Sequence, residues 1–173
     1  MKILTIGGKD YKIEFSFEAA EYKDCVDQIF KVISGSYIMK NGPAEEDEKI
    51  SMAAAFLNGT ADMISDIPKL TITALYAGLL ENSPVENEQA ARNLFKQFVK
   101  ENPDDERASF WGMYYFLRDC MEEDGFFKLT GLDKAMAQME EAAKKAEEAA
   151  EEGQKSKSGK IPQDRKRKST STK

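Results

Sequence analysis

The sequence predicts a mainly α-helical fold with a small N-terminal β-hairpin, an α+β arrangement in which helices supply most of the core. Three observations lead to it. Residues 2–15, KILTIGGKDYKIEF, alternate apolar and polar side chains around a Gly-Gly pair. From Ser16 to Glu123, apolar residues recur at helical spacing between Gly and Pro breaks. From Leu132 to Glu152 the chain is dense in Ala, Glu, Lys and other strong helix formers.

In the hairpin, Gly7 and Gly8 supply the positive φ angles of a tight turn, and Ile3, Ile6, Tyr11, Ile13 and Phe15 are available to one side or the other. A lone hairpin is barely stable in water, so its apolar side must rest on helices. Ser16 is then predicted to cap a helix running to about Ser34. Phe17, Ala20, Cys25, Ile29, Phe30 and Ile33 form its apolar stripe, and Gly35 ends it. Residues 36–49 read as a loop with a Gly-Pro break and an acidic cluster, which suits the positive end of a following helix dipole.

That helix is predicted over about 47–65, with Ile50, Ala53, Ala54, Leu57, Ala61 and Ile64 on one stripe and Gly59 as a weak point. Pro68 is predicted to open a separate buried helix carrying Leu70, Ala74, Leu75, Leu79 and Leu80 and ending near Asn82. Ser83-Pro84-Val85-Glu86 reads as a capping box with Pro at the first helical position, followed by Ala91, Leu94, Phe95, Phe98 and Val99 as an apolar face. After Asn102-Pro103 a fifth helix runs to about Glu123, where Gly125 stops it.

The fifth helix holds SFWGMYYFLRDCM, in which Phe110, Trp111, Met113, Tyr114, Tyr115, Phe116 and Leu117 leave almost no polar face. Such a helix is either central to the core, with Gly112 admitting a close neighbour, or exposed to a partner. In the last predicted helix only Leu132, Met136 and Met139 are sizeable apolar groups, and Ala142, Ala143, Ala146 and Ala150 continue the stripe. Small side chains bury little area, so this helix is expected to project from the body, either to pair with another helix or as a solvated spacer. The organisation expected is a compact helical domain with its hairpin over 1–128, a projecting helix over 129–152 and a disordered basic tail over 153–173.

A chain of 173 residues is long enough for one such core plus appendages. Net charge is −6; the last 21 residues carry eight Lys and Arg against one Asp, so the remainder is at about −13. A body that acidic repels polyphosphate, and any nucleic-acid contact would fall to the basic end alone. There is no His, and Cys25 and Cys120 stand far apart in apolar stretches as buried thiols. MKILTIGGKD lacks the apolar run of a signal peptide, and no stretch has the length of a membrane span, which reads as a soluble intracellular protein.

No nucleophile–base pair, G-x-S-x-G turn or phosphate loop is legible, and AEEDEK lacks the alternating acids and central Gly of a calcium loop. Adjacent pairs such as Glu122-Glu123 point to different sides of a helix. No catalytic residue, cofactor or metal is therefore expected. An interaction protein remains, with two expected partner surfaces: Phe110, Trp111, Tyr114 and Tyr115 on the aromatic helix, and Leu132, Met136 and Met139 on the last one. Met suits a surface that accepts varied apolar partners.

IGGKDYKIEFSFEAA, a hairpin around Gly-Lys running straight into a helix, resembles the start of tail assembly chaperones from long-tailed bacteriophages. TALYAGLLENSP resembles their mid-chain helix, which is followed by a Pro-started helix, an aromatic helix and an Ala/Glu/Lys-rich extension. The resemblance covers residues 1–125 in layout. It implies a non-enzymatic factor that binds the tape measure protein, keeps it soluble and recruits tail tube subunits. It further implies self-association, action in the host cytoplasm during assembly, and absence from the mature virion. Such chaperones are commonly made in two lengths by a translational frameshift, for which Gly159-Lys160 and Lys144-Lys145 are the candidate junctions; the basic end would then belong to the short form. The competing expectation is another phage structural or regulatory protein whose basic end touches nucleic acid.

Overall fold

The structure, a computed structural model, describes residues 1–34 and 48–157. The predicted stop at Gly35, the loop from residue 36 to 47 and the basic segment beyond Lys157 lie outside them. The fold is mainly helical with a two-stranded antiparallel hairpin at the N-terminus. The chain divides into two compact units, Met1–Met136 and Ala137–Lys173.

Strands β1 (Lys2–Ile6) and β2 (Lys9–Ile13) pair antiparallel with Ile6 opposite Lys9, which leaves Gly7 and Gly8 as a two-residue turn. Their φ angles, +60° and +71°, are the pair of left-handed conformations such a turn requires. The inner face carries Leu4, Ile6 and Ile13, with Phe15 just beyond β2, all buried; Ile3 is on the outside and Tyr11 is half-buried. Two further bonds pin the hairpin to helices. Glu14 N–H donates to the Gly78 carbonyl at 2.9 Å, and Gly7 N–H donates to Glu101 Oε2 at 2.7 Å.

The predicted helix from Ser16 is two helices, α1 (Phe17–Glu21) and α2 (Lys23–Ile33), broken at Tyr22, whose ψ of 91° is extended. The cause is tertiary. Tyr22 lays its ring edge-on to Tyr76, with centroids 5.3 Å apart, and its hydroxyl donates to Glu88 Oε1 at 2.8 Å. The break lets Ala19 of α1 and Cys25 and Ile29 of α2 all face the core, while Phe17 is left 70% exposed and Phe30 also lies at the surface. Ser16 sits at the N-cap position, but its hydroxyl donates to Glu81 Oε2 instead of accepting from the helix.

A second correction concerns Pro68. The two helices predicted on either side of it are one, α3 (Glu48–Leu79), with Pro68 inside. Proline deletes the bond to the carbonyl four residues back, that of Ile64, and crowds it. Residues 64–66 are exposed, so water can satisfy the freed carbonyl, and the heavily buried stretch from Ile67 onward fixes the backbone beyond it. Thr71 and Thr73, fully buried on this stretch, are satisfied: Thr71 donates to the Phe110 carbonyl and Thr73 to Glu88 Oε1. The second half of α3 is thus the centre of the fold, in contact with α2, β2 and the two helices that follow.

The next helix, α4 (Glu88–Glu101), begins later than the predicted capping box. Its cap is Asn87, whose Oδ1 accepts from Ala90 N–H at 3.0 Å. Ser83 serves the previous helix end and the hairpin: its N–H donates to the Leu79 carbonyl and its Oγ accepts from Lys12 N–H. Ala91, Phe95 and Phe98 of α4 are buried as predicted. A single 3₁₀ turn, Glu106–Ala108, then leads to the aromatic helix α5 (Phe110–Glu123), capped by Ser109 Oγ, which accepts from Gly112 N–H. Gly125 (φ +75°) stops α5, a short α6 (Phe126–Leu129) buries Phe126, and Gly131 (φ +75°) leads into α7 (Leu132–Lys157). The helical assignment runs past the expected end at Glu152. In the second unit, α7 carries exposed ion pairs one turn apart, Glu140–Lys144 and Glu141–Lys145, each at 2.7 Å.

The 3₁₀ turn is held by a charged clasp. Asp105 accepts from Arg107 N–H and Nε at 2.8 and 2.9 Å and from Nη2 at 2.6 Å, and the guanidinium lies over the Phe98 and Phe116 rings. The guanidinium hydrogen bond holds the Asp105 carboxyl at about 2, below its ordinary 3.8. A depressed carboxyl stabilises the fold above its unfolded value and loses that contribution as pH falls through the folded one. Asp105→Asn is therefore expected to lower the melting temperature at neutral pH, and the gap to the parent chain should close between pH 4 and 2. Melting curves at stepped pH check this; a constant gap would mean that the charge contributes nothing.

Candidate functional site

Partner-binding side chains must be apolar, reachable and carried on rigid backbone. On α5 the inward positions are Met113, Tyr114, Leu117, Cys120 and Met121, all buried against the second half of α3 and its neighbours. Tyr114, expected at a partner surface, is thus a core residue, and burial raises its hydroxyl pKa above the ordinary value. It was misplaced because an almost wholly apolar helix gives no polar face from which to read its orientation.

The outer positions form a ladder. Trp111 is half-buried, Phe110 stands at the surface edge with its ring 5.2 Å from Phe95, and Tyr115 is 49% exposed. The Trp111 and Tyr115 rings are 5.7 Å apart and tilted by 30°, and the Arg118 guanidinium lies 5.4 Å from the Tyr115 ring. Arg118 in turn neighbours Asp119, at 3.9 Å. The structure therefore stacks Trp111 on Tyr115 near the start of one helix, with the Arg118 cation over Tyr115, while Phe110 packs on Phe95 of α4.

The second expected surface is divided differently. Leu132, which directly follows Gly131 at φ +75°, is buried in the main core. Met136 is 42% exposed and Met139 half-exposed. Leu132 is accordingly a packing residue and Met136 the open one.

Sequence reasoning missed a further set. Phe17, Phe30, Phe56, Leu57 and Ile64 are all exposed, and four of them stand on the predicted apolar stripes. Helical spacing identifies a stripe but not whether anything covers it. The available signal was charge: residues 50–61 contain no Asp, Glu, Lys or Arg, which a helix solvated all round seldom tolerates.

The candidate reactive groups are structural. Cys25 and Cys120 are free and buried, and burial pushes their thiols up to about 12 and about 11, so both stay protonated at neutral pH. Glu88 accepts from both Tyr22 and Thr73 and ties α2, α3 and α4 together. A shallow cleft of about 440 Å³ lies between β2 and residues 82–85, lined by Lys9, Lys12, Tyr11 and Ser83 among others; the Lys9 ammonium is stacked over Tyr11 and the Ser83 oxygen is engaged by Lys12 N–H. Among the described residues no three His, Cys, Asp or Glu side chains are grouped to hold a metal ion, and no helix is long and apolar enough to cross a membrane. Comparison with protein-family models, with curated proteins and with solved structures finds no match.

Proposed function

We propose that this protein is a non-enzymatic tail assembly chaperone of a long-tailed bacteriophage, which covers apolar helical segments of the tape measure protein and brings tail tube subunits to it in the host cytoplasm. The observation that carries the reading is the half-exposed, stacked pair of Trp111 and Tyr115, with Phe110 at the surface of the same helix, on an acidic body. Aromatic side chains give large contact area at low entropic cost, and a helix presenting them fits the apolar stripe of another helix. The surrounding negative charge keeps a loaded complex dispersed. The layout of hairpin, mid-chain helix and aromatic helix described for the resembling family supports the same reading.

The test is co-expression with a long, apolar-striped helical tail protein. The expected result is a soluble complex that withstands a rise from about 50 to 200 mM salt, since apolar contact is insensitive to screening, whereas contact to several phosphates would lose about a thousandfold or more. Trp111→Ala with Tyr115→Ala, or Met136→Glu, should release the client while the chain itself stays folded. A complex that falls apart with salt and passes to nucleic acid would sink the reading.

A further inference from the structure

We infer that the cleft beside β2 receives an extended acidic segment of a partner protein, whose main chain pairs with Asp10 and whose carboxylates meet Lys9 and Lys12. The inference goes beyond the capture of apolar helices and does not depend on it, because the surface is different and the ligand is a polar strand.

The hairpin register fixes which backbone groups face that cleft. Ile6 and Lys9 close the two-residue turn as a hydrogen-bonded pair, and such pairs alternate along an antiparallel ladder. Leu4 is then bonded to Tyr11 and Lys2 to Ile13, whereas Asp10 and Lys12 turn their N–H and C=O groups away from β1. Two contacts confirm this phase: Lys12 N–H reaches Ser83 Oγ at 3.0 Å, and Glu14 N–H reaches the Gly78 carbonyl at 2.9 Å. Asp10 has no such cover. Among the described residues nothing accepts from its N–H on this edge, although an uncapped strand edge is what folds commonly avoid.

The bare stretch opens on the cleft of about 440 Å³, whose far wall is formed by residues 82–85. Pro84 on that wall has no N–H to compete for a carbonyl, and half-buried Val85 adds apolar surface. One residue of an antiparallel strand laid there exchanges both main-chain bonds with Asp10. Ser83, already seated on Lys12 N–H, stops the strand from running further along β2. The edge thus offers a short, bounded pairing site of the kind used in strand addition.

Charge selects the occupant. Lys9 and Lys12 lie on opposite faces of β2, since side chains alternate along a strand, and so they flank the cleft on both sides. The Lys9 ammonium stands 4.9 Å from the centre of the Tyr11 ring, and neither lysine has a carboxylate partner among the described residues. Asp10, the one acid lining the cleft, is engaged by the Thr5 hydroxyl at 2.7 Å. Acidic residues next to the one paired with Asp10 bring carboxylates to the two ammonium groups, while the paired residue itself is uncharged, because like charges opposite one another repel. A second β2 would gather four lysines at one short seam and is the wrong occupant. The body's other acids are screened beyond about 8 Å at physiological salt, so the contact charges decide.

The test is a fluorescence anisotropy titration of the full chain against a dye-labelled peptide of Glu and Thr, about eight residues long. It should bind with a Kd below about 1 mM and weaken as salt rises. Lys9→Glu with Lys12→Glu should weaken it at least about tenfold while the melting temperature holds, since both side chains are exposed. Asp10→Pro removes an N–H that the ladder does not use and should also cost about tenfold in affinity. The same peptide N-methylated along its backbone removes the matching bonds from the ligand side and leaves the chain untouched, so it should bind about tenfold more weakly whatever Asp10→Pro does to the fold. No binding at about 1 mM protein, equal binding of a peptide with Lys for every Glu, or equal binding of the N-methylated peptide each overturns the proposal. So does displacement by inorganic phosphate at the peptide's own concentration, which would make the cleft a simple anion site, or a dimer of the chain that the double lysine reversal abolishes, which would put a second copy there.

Discussion

Replacing Gly112 by alanine is expected to destabilise the protein by about 3 kcal/mol or more, the upper end of what overpacking costs. Helix propensity argues for the opposite sign, since alanine in a helix is favoured over glycine by about 1 kcal/mol. Space decides against it. A Cβ on Gly112 would lie 1.8 Å from the Glu106 carbonyl oxygen and 2.7 Å from its carbon. Those are backbone atoms of the 3₁₀ turn, which the Asp105–Arg107 clasp and the Ser109 cap hold in place, so they cannot swing aside as the end of a long side chain would. Relief requires the turn to move off α5. Thermal unfolding should therefore drop by on the order of 10 °C, and a variant as stable as the parent would show that the turn yields freely.

Phe15→Ala is expected to cost about 3–5 kcal/mol, the range for removing a fully buried aromatic ring. Phe15 is fully buried, its ring meets Phe126 edge-on with centroids 5.5 Å apart, and it also lies close to the bare backbone of Gly78, where an added Cβ would lie 3.1 Å from the ring. The cavity left by alanine has little means of closing. Phe15 N–H donates to Oδ2 of Asp124, whose Oδ1 takes the Met1 ammonium, and Glu14 N–H donates to the Gly78 carbonyl, so the strand end is fixed on both sides. Urea unfolding reads the effect as a lower midpoint at unchanged slope. Phe17→Ala, two residues on but 70% exposed, should stay within about 0.5 kcal/mol; equal losses at both positions would contradict the inside–outside assignment.

The parts of the fold legible in the sequence are those written in local chemistry. Gly7-Gly8 between alternating strands gives the hairpin, Gly125 gives the end of α5, and Gly112 signals a close neighbour, which proves to be a carbonyl. The misread parts are those where distant contacts overrule local signals. Tyr22 breaks a continuous helical pattern because Tyr76 and Glu88 capture its ring and hydroxyl. Pro68 fails to break one because the core grips the chain just beyond it. Asn87 displaces Ser83 as a cap because Ser83 is engaged by β2.

The candidate site follows the same division. That the aromatic helix mattered was readable from composition, but which of its faces looks outward was not, so Tyr115 and Trp111 remain at the surface and Tyr114 goes to the core. Leu57 and Ile64 were correctly placed on one stripe, yet nothing in the spacing of a single chain distinguishes a stripe covered by its own fold from one left open.

The continuity of α3 through Pro68 has a consequence for how the molecule breathes. One helix spans two environments, and at the border between them proline has removed a rung of the ladder. Amides from Lys69 to Leu79 can trade hydrogen for deuterium only when the core opens, whereas those before Ile67 need only a local unwinding that starts from the missing rung. Labelling in heavy water would thus trace a step along a single rod, fast on one side and slow on the other, and whatever grips the outer segment would flatten that step.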